Sequence, residues 1–205
     1  MKYLSIKDSK EISINIERSI FIGNAQKVNT IEEAQNYIKY ITQKYNNATH
    51  NCWAYKVGDG NQEFFHYSDN GEPSGTAGKP IYGIIEKYNL FNVAIVVTRY
   101  FGGVKLGIRG LIDAYSSCAE EVVKNSRLTK FETTFIFEVR CSYSNYSQIL
   151  RLISQESGIY LLFQEFLEDV FFRIEIIESI KERVLPIIEN NSQEITFIGT
   201  SEREL

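Results

Sequence analysis

The chain has 205 residues, 43% of them apolar and 13% aromatic, enough to bury a core without disulfides or metals. Its formal charge of -4 is uneven: residues 1–130 hold 16 Lys and Arg against 13 Asp and Glu, a net of +3, and residues 131–205 hold 6 against 13, a net of -7. Two domains with different partners are expected, and three cysteines (Cys52, Cys118 and Cys141) argue against a disulfide framework and for a reducing, cytoplasmic setting.

MKYLSIKDSK at the start has no long apolar run and is not read as a secretory signal. The longest apolar run, Val93 to Val97, is too short to cross a bilayer. Residues Glu11 to Val28 alternate in part, with Ile12, Ile14 and Ile16 on one face, and read as strands. Thr30 with Glu33 forms a capping box that opens an amphipathic helix to about Tyr45. His50 to Val57 and Glu63 to Tyr67 read as a hairpin turning on Gly58-Asp59-Gly60-Asn61. The next segment, YSDNGEPSGTAGKP (67–80), has no apolar periodicity and leads into a helix over about Thr76 to Tyr88.

Val93 to Thr98 is a β-branched run expected to be buried on both faces. It leads into a second glycine-rich stretch, RYFGGVKLGIRG (99–110). A long helix follows, with Leu111, Ala114, Tyr115, Cys118, Ala119, Val122 and Val123 on one stripe. The character changes near Leu128 to Phe131. Strand Thr133–Cys141, helix Ser144–Glu156, strands Ile159–Phe166 and Val170–Ile177, a helix from Ser179 with Glu182 as its capping box, and strand Glu194–Ile198 follow. That order, βαββαβ, is the ferredoxin-like arrangement. Pro186 should kink the last helix or force it to restart.

Both glycine-rich stretches run from strand to helix. The first amides of a helix lack partners inside it and face an electropositive end, so an anion is the natural guest. Lys79, Arg99, Lys105 and Arg109 add positive charge, and Ser74 and Thr76 can cap or donate. Neither stretch has the spacing of a Walker loop or a dinucleotide fingerprint. The expected site is one anion-binding cleft made by Glu72, Ser74, Gly75, Thr76, Lys79, Arg99, Tyr100, Gly102, Gly103, Lys105 and Arg109. In it Arg99 and Lys79 face each other; the competing arrangement is Arg99 as a buried partner of Glu72 or Asp69. Tyr100 and Phe101 suit base stacking or a plug beneath the loop. Glu72 and Asp69 suit acid–base work or turn stabilisation. His50, Cys52, His66 and Cys118 lack standard metal-ligand spacing, and a Cys52–His50 nucleophile pair lacks an orienting third group. No metal, cofactor or catalytic set is assigned.

THNCWAY (49–55), YSDNGEPSGTAGKP (67–80) and VVTRYFGGVKLG (96–107) resemble, in order and spacing, the signature blocks of the YigZ/IMPACT family. The acidic second half resembles the small second domain of the family's bacterial branch. The resemblance implies an α+β protein of two domains. Residues 1–130 would take the fold of a small-subunit ribosomal-protein domain, shared with the GHMP kinases; residues 131–205 would be ferredoxin-like, as in a domain of elongation factor G. It also implies a link to translation, because the eukaryotic members regulate it, and RNA or a ribosome-associated protein as partner. The competing classes are an enzyme acting on a small phosphorylated substrate and a protein-interaction module. One departure bears on the site. The family commonly continues KLG with Ala-Gly-Gly, where this chain has Ile108-Arg109-Gly110.

Overall fold

A computed structural model of the chain describes residues 2–58 and 62–205. These form two compact units, Tyr3–Lys130 and residues 131–205 with Lys2. Both mix helices with antiparallel sheet.

The first unit contains β1 (Lys2–Asp8), β2 (Ile12–Ile16), β3 (Ser19–Lys27), α1 (Ile31–Lys44), β4 (His50–Gly58), β5 (Glu63–Ser68), α2 (Gly78–Lys87), β6 (Val93–Tyr100) and α3 (Gly107–Lys124). Its main sheet runs β2-β3-β6-β4-β5, antiparallel throughout. The alternation of a strand sends successive side chains to opposite faces, and β6 buries both. Ala94 and Val96 pack with Ala34, Ile38 and Ile41 of α1. Val93, Ile95 and Val97 pack with Ile81 and Ile85 of α2 and with Tyr115, Cys118 and Val122 of α3. Half of the predicted capping box of α1 forms as expected, Thr30 Oγ1 accepting from Glu33 N at 3.0 Å, while Glu33 Oε2 accepts from Asn29 N, one residue before the cap, at 2.8 Å.

The turn residues 59–61 expected between β4 and β5 lie outside the described residues; the flanking strands pair with Gly58 opposite Glu63. The sequence reading assigns no strand to β1. Its Leu4 carbonyl accepts from Phe91 N at 2.8 Å, and the chain leaves this unit along β7 (Arg127–Cys141). With only Tyr3 and Ile6 as large buried apolar residues, β1 has little periodic signal to read.

The second unit continues from β7 through α4 (Tyr143–Gln155), β8 (Ile159–Phe166), β9 (Val170–Ile177), α5 (Glu178–Asn190) and β10 (Glu194–Glu204). Its strand order is β10-β7-β9-β8, antiparallel. Phe137, Val139 and Cys141 of β7 and Phe172, Ile174 and Ile176 of β9 form a core with Ile149 of α4 and Val184 and Ile188 of α5. One expectation for α5 needs correction, and of the two outcomes expected at Pro186, a kink or a restart, the restart does not occur. The Ser179–Glu182 capping box does not form. Glu132 of β7, almost fully buried, accepts from Ser179 N at 2.9 Å instead. The helix continues past Pro186 to Asn190. No helix among the described residues is long and apolar enough to cross a membrane.

Candidate functional site

The site grows from the end of β6. Arg99 sits opposite Phe21 of β3 and His50 of β4 in the sheet register, so its backbone is held from both sides. Its side chain does not emerge as a free cation. The residue is 5% exposed, and Nη1 donates to Glu72 Oε1 at 2.7 Å. Nη2 donates to Ser19 Oγ at 3.3 Å, and Nε has no partner. The guanidinium lies between two rings, 5.4 Å from the Phe21 centroid and 5.3 Å from that of Phe101. A cation taken this far from water needs a carboxylate beside it, and Glu72 is that carboxylate. The buried-partner arrangement therefore replaces the expected Arg99–Lys79 cleft.

The loop 67–80 is organised by Asp69. Its Oδ1 accepts from Ala77 N (2.9 Å) and Gly78 N (2.8 Å), and its Oδ2 accepts from Gly75 N at 2.8 Å. The first amides of α2, expected to cradle an external anion, are thus occupied by the chain's own carboxylate. Asp69 is a turn stabiliser, the structural role the composition of the loop allows. Thr76 is buried and donates to the Pro73 carbonyl at 2.7 Å. Ser74 and Lys79 are exposed on the loop and on the first turn of α2.

The second glycine-rich stretch is different. α3 already starts at Gly107, and its cap position, Leu106, offers no side-chain hydrogen bond. Gly107 has φ +70°, a conformation that suits glycine. Lys105 and Arg109 are both exposed. Neither has an ion-pair partner among the described residues, whereas Lys44, Lys56, Lys87 and Lys124 in the same unit are all paired. Gly102 serves the fold. A Cβ there would come within 1.9 Å of the Arg18 carbonyl oxygen, so the chain, and not a ligand, needs the missing side chain. Gly103 is exposed, and Tyr100 is tied down by donating to Asn47 Oδ1 at 2.7 Å.

Between the loop and α3 lies a cleft of about 270 Å³. Its polar residues are Glu72, Arg99 and Lys105, and its apolar walls include Pro73, Phe101, Leu106, Ile108 and Leu111. Ser74, Gly75, Thr76, Lys79, Tyr100, Gly102, Gly103 and Arg109 are not among its lining residues. Proximity of a parallel strand's carboxyl end to a ligand does not apply in this antiparallel sheet. What brings α3's open end beside Arg99 is the short connection from Phe101 to Leu106.

Two members of the network have only a weak signal in the sequence. The Tyr115 hydroxyl donates to Glu72 Oε1 at 2.9 Å and lies 3.4 Å from Cys52 Sγ. On the helical stripe Tyr115 is indistinguishable from core; its hydroxyl, which a buried tyrosine must satisfy, is the one available hint. Ser19 also accepts from Gly102 N at 3.2 Å, linking β3 to the loop. His50 Nδ1 lies 2.8 Å from the Asn70 carbonyl, leaving Nε2 3.8 Å from Glu72 Oε1.

The Cys52 thiol donates to the Asp69 carbonyl at 3.0 Å, and burial pushes its pKa up to about 12. That is the wrong direction for a nucleophile. Burial also raises the Tyr115 phenol. His66 faces Trp53 at 5.4 Å between ring centroids, and Cys118 packs in the core. No cluster of three potential metal ligands occurs among the described residues.

The Impact N-terminal domain family matches residues 17–123, the stretch that carries this site. An IMPACT family member of Haemophilus influenzae is 34% identical over 95% of this chain and 91% of its own length. The IMPACT family member YvyE of Bacillus subtilis is 40% identical, over 69% of this chain and 65% of that protein. The rat protein IMPACT is 26% identical over 57% of this chain and 37% of its own. A solved structure described as a hypothetical protein shares the fold over 97% of both chains, at a TM-score of 0.68 and 22% identity. With more than half its length matched, the chain belongs to the IMPACT family.

Proposed function

We propose that the protein is a cytoplasmic binding protein of the translation apparatus that takes RNA at the cleft beside α3. The observation that carries this reading is the open start of α3 flanked by Lys105 and Arg109, two exposed cations without ion-pair partners among the described residues. A helix start of this kind donates backbone amides to a phosphate, and the two side chains add sequence-independent attraction to the strand. Phe101, 46% exposed at the cleft wall, offers a face on which a base can stack.

The order βαββαβ with strand order β10-β7-β9-β8 supports a ferredoxin-like second domain. For the first domain, the ribosomal-protein-like fold that the resemblance implies is retained as part of the same reading. Binding to structured RNA, measured across a salt series, tests the reading. Log affinity should fall with log salt, and Lys105→Ala or Arg109→Ala should each lower the slope by about 1. Absence of binding at low salt would defeat it.

A second reading, docking of a partner protein, is favoured by one observation: Ile108 is 68% exposed beside Phe101. Pull-down after nuclease treatment separates the two readings. Loss of the partner supports RNA, and a partner that survives supports the protein interface.

A further inference from the structure

We infer that the cleft beside α3 recognises a ribonucleotide unit of a single strand, with the free oxygen of Glu72 accepting the ribose 2′-hydroxyl. The inference rests on the RNA reading and deepens it.

Glu72 is built to accept one more hydrogen bond. Its side chain is 4% exposed yet lines the cleft. All its side-chain partners converge on Oε1: Arg99 Nη1 at 2.7 Å, the Tyr115 hydroxyl at 2.9 Å, and His50 Nε2 at 3.8 Å. Among the described residues Oε2 takes no bond. Unlike Arg99 Nε, this oxygen is not sealed from solvent, so water reaches it from the cleft and a ligand hydroxyl would take that water's place. Arg99 offsets the charge of Glu72, so the pair does not repel a phosphate arriving a few ångströms away.

The rest of the cleft completes one nucleotide. The amides at the start of α3 and the Lys105 ammonium offer donors for the phosphate. Phe101 covers the Arg99 guanidinium with one face and is still 46% exposed, which leaves a surface for the base. A volume of about 270 Å³ is on the scale of a single splayed-out unit. The 2′-hydroxyl is the one group in such a unit that separates RNA from DNA, and it is the donor that a lone acceptor oxygen selects. Acceptor, phosphate donors and stacking face thus occur together in one cleft.

The test uses the full-length protein and three single-stranded oligonucleotides of one sequence: RNA, DNA and 2′-O-methyl RNA. The RNA should bind about tenfold or more tightly than either of the others, since both lack the donor. Equal binding of RNA and DNA would overturn the 2′-hydroxyl reading and leave the RNA-binding proposal as general attraction to phosphates. Equal binding of RNA and 2′-O-methyl RNA would overturn it too, because sugar shape alone would then account for any preference. No binding of any strand would defeat both proposals. AMP titrated beside the oligonucleotide identifies the source of the ribonucleotide. The strand should bind more tightly, and tighter binding of AMP would overturn the assignment to a strand. In Arg99→Met/Glu72→Leu, which removes the acceptor without leaving a lone charge, RNA and DNA should bind alike. A preference that persists in that variant would overturn the inference, and if the variant does not fold, the wild-type comparisons decide.

Discussion

The loop 67–80 and the stretch 99–110 look alike in the sequence and behave as opposites in the structure. Each joins a strand to a helix, is rich in glycine and carries positive charge, one lysine in the first and Arg99, Lys105 and Arg109 in the second. At the first, Asp69 reaches forward to the amides of Gly75, Ala77 and Gly78, and the helix start is closed. At the second, Leu106 stands at the cap without a side-chain acceptor, and Lys105 and Arg109 remain unpaired among the described residues. The cations divide in the same way. Arg99 is consumed by Glu72, whereas Lys79, Lys105 and Arg109 are exposed, and of these only Lys105 and Arg109 stand beside an open helix start. Composition identifies a helix start that can hold an anion; only the structure tells whether the chain already supplies one.

The sharpest way to break this comparison is to remove the partner inside the closed half. Arg99→Ala should cost about 3–5 kcal/mol, because it leaves Glu72 as a lone buried carboxylate, and the urea midpoint reads the loss. Arg99→Met with Glu72→Leu should recover most of it. Unchanged stability in Arg99→Ala would mean that the pair is solvated and the arginine available to a ligand.

Asp69→Ala comes next, at about 2 kcal/mol, since three backbone amides lose a charged acceptor. The corresponding change at the open start, Leu106→Asp, should instead set a carboxylate beside the α3 amides and weaken RNA binding, at a cost of about 1–2 kcal/mol because Leu106 packs against the core. Lys105→Ala and Arg109→Ala should change stability by no more than about 0.5 kcal/mol in either direction, with their effect confined to the salt slope.

The smallest effect concerns Cys52. Burial raises its thiol from an ordinary value near 9 to about 12. The folded thiol keeps its proton while the unfolded one loses it, so its contribution to stability is full below about pH 9 and is lost as pH rises toward 12. At pH 8 a disulfide reagent should label none of the three buried cysteines in the folded protein and all of them in urea. Rapid labelling of Cys52 in the folded state would contradict the buried network around Tyr115.

Much of the fold is legible because it rests on local signals. Thr30 and Glu33 announce α1, and Val93–Thr98 announces the central strand; both appear where the pattern puts them. What escapes is set by contacts between residues far apart in the chain. Glu132 caps α5 from 47 residues away, so the nearer Ser179–Glu182 pattern misleads. Asp69 is as readable as any aspartate in a loop, but nothing local shows that it turns toward amides up to nine residues on. Tyr115 fits its helical stripe so well that its hydroxyl, the part facing Glu72, leaves no trace in the periodicity. Arg99 and Glu72 are both visible as charges, but the sequence does not show that Phe21 and Phe101 lie against the guanidinium or that the two charges pair.

Backbone amide shifts on titration with a single-stranded RNA oligonucleotide test the difference between the two helix starts most directly. Large changes are expected at Gly107, Ile108, Arg109 and Gly110, with Gly75, Ala77 and Gly78 unmoved because Asp69 holds them. Changes concentrated at residues 75–78, or at neither helix start while RNA still binds, would contradict that difference.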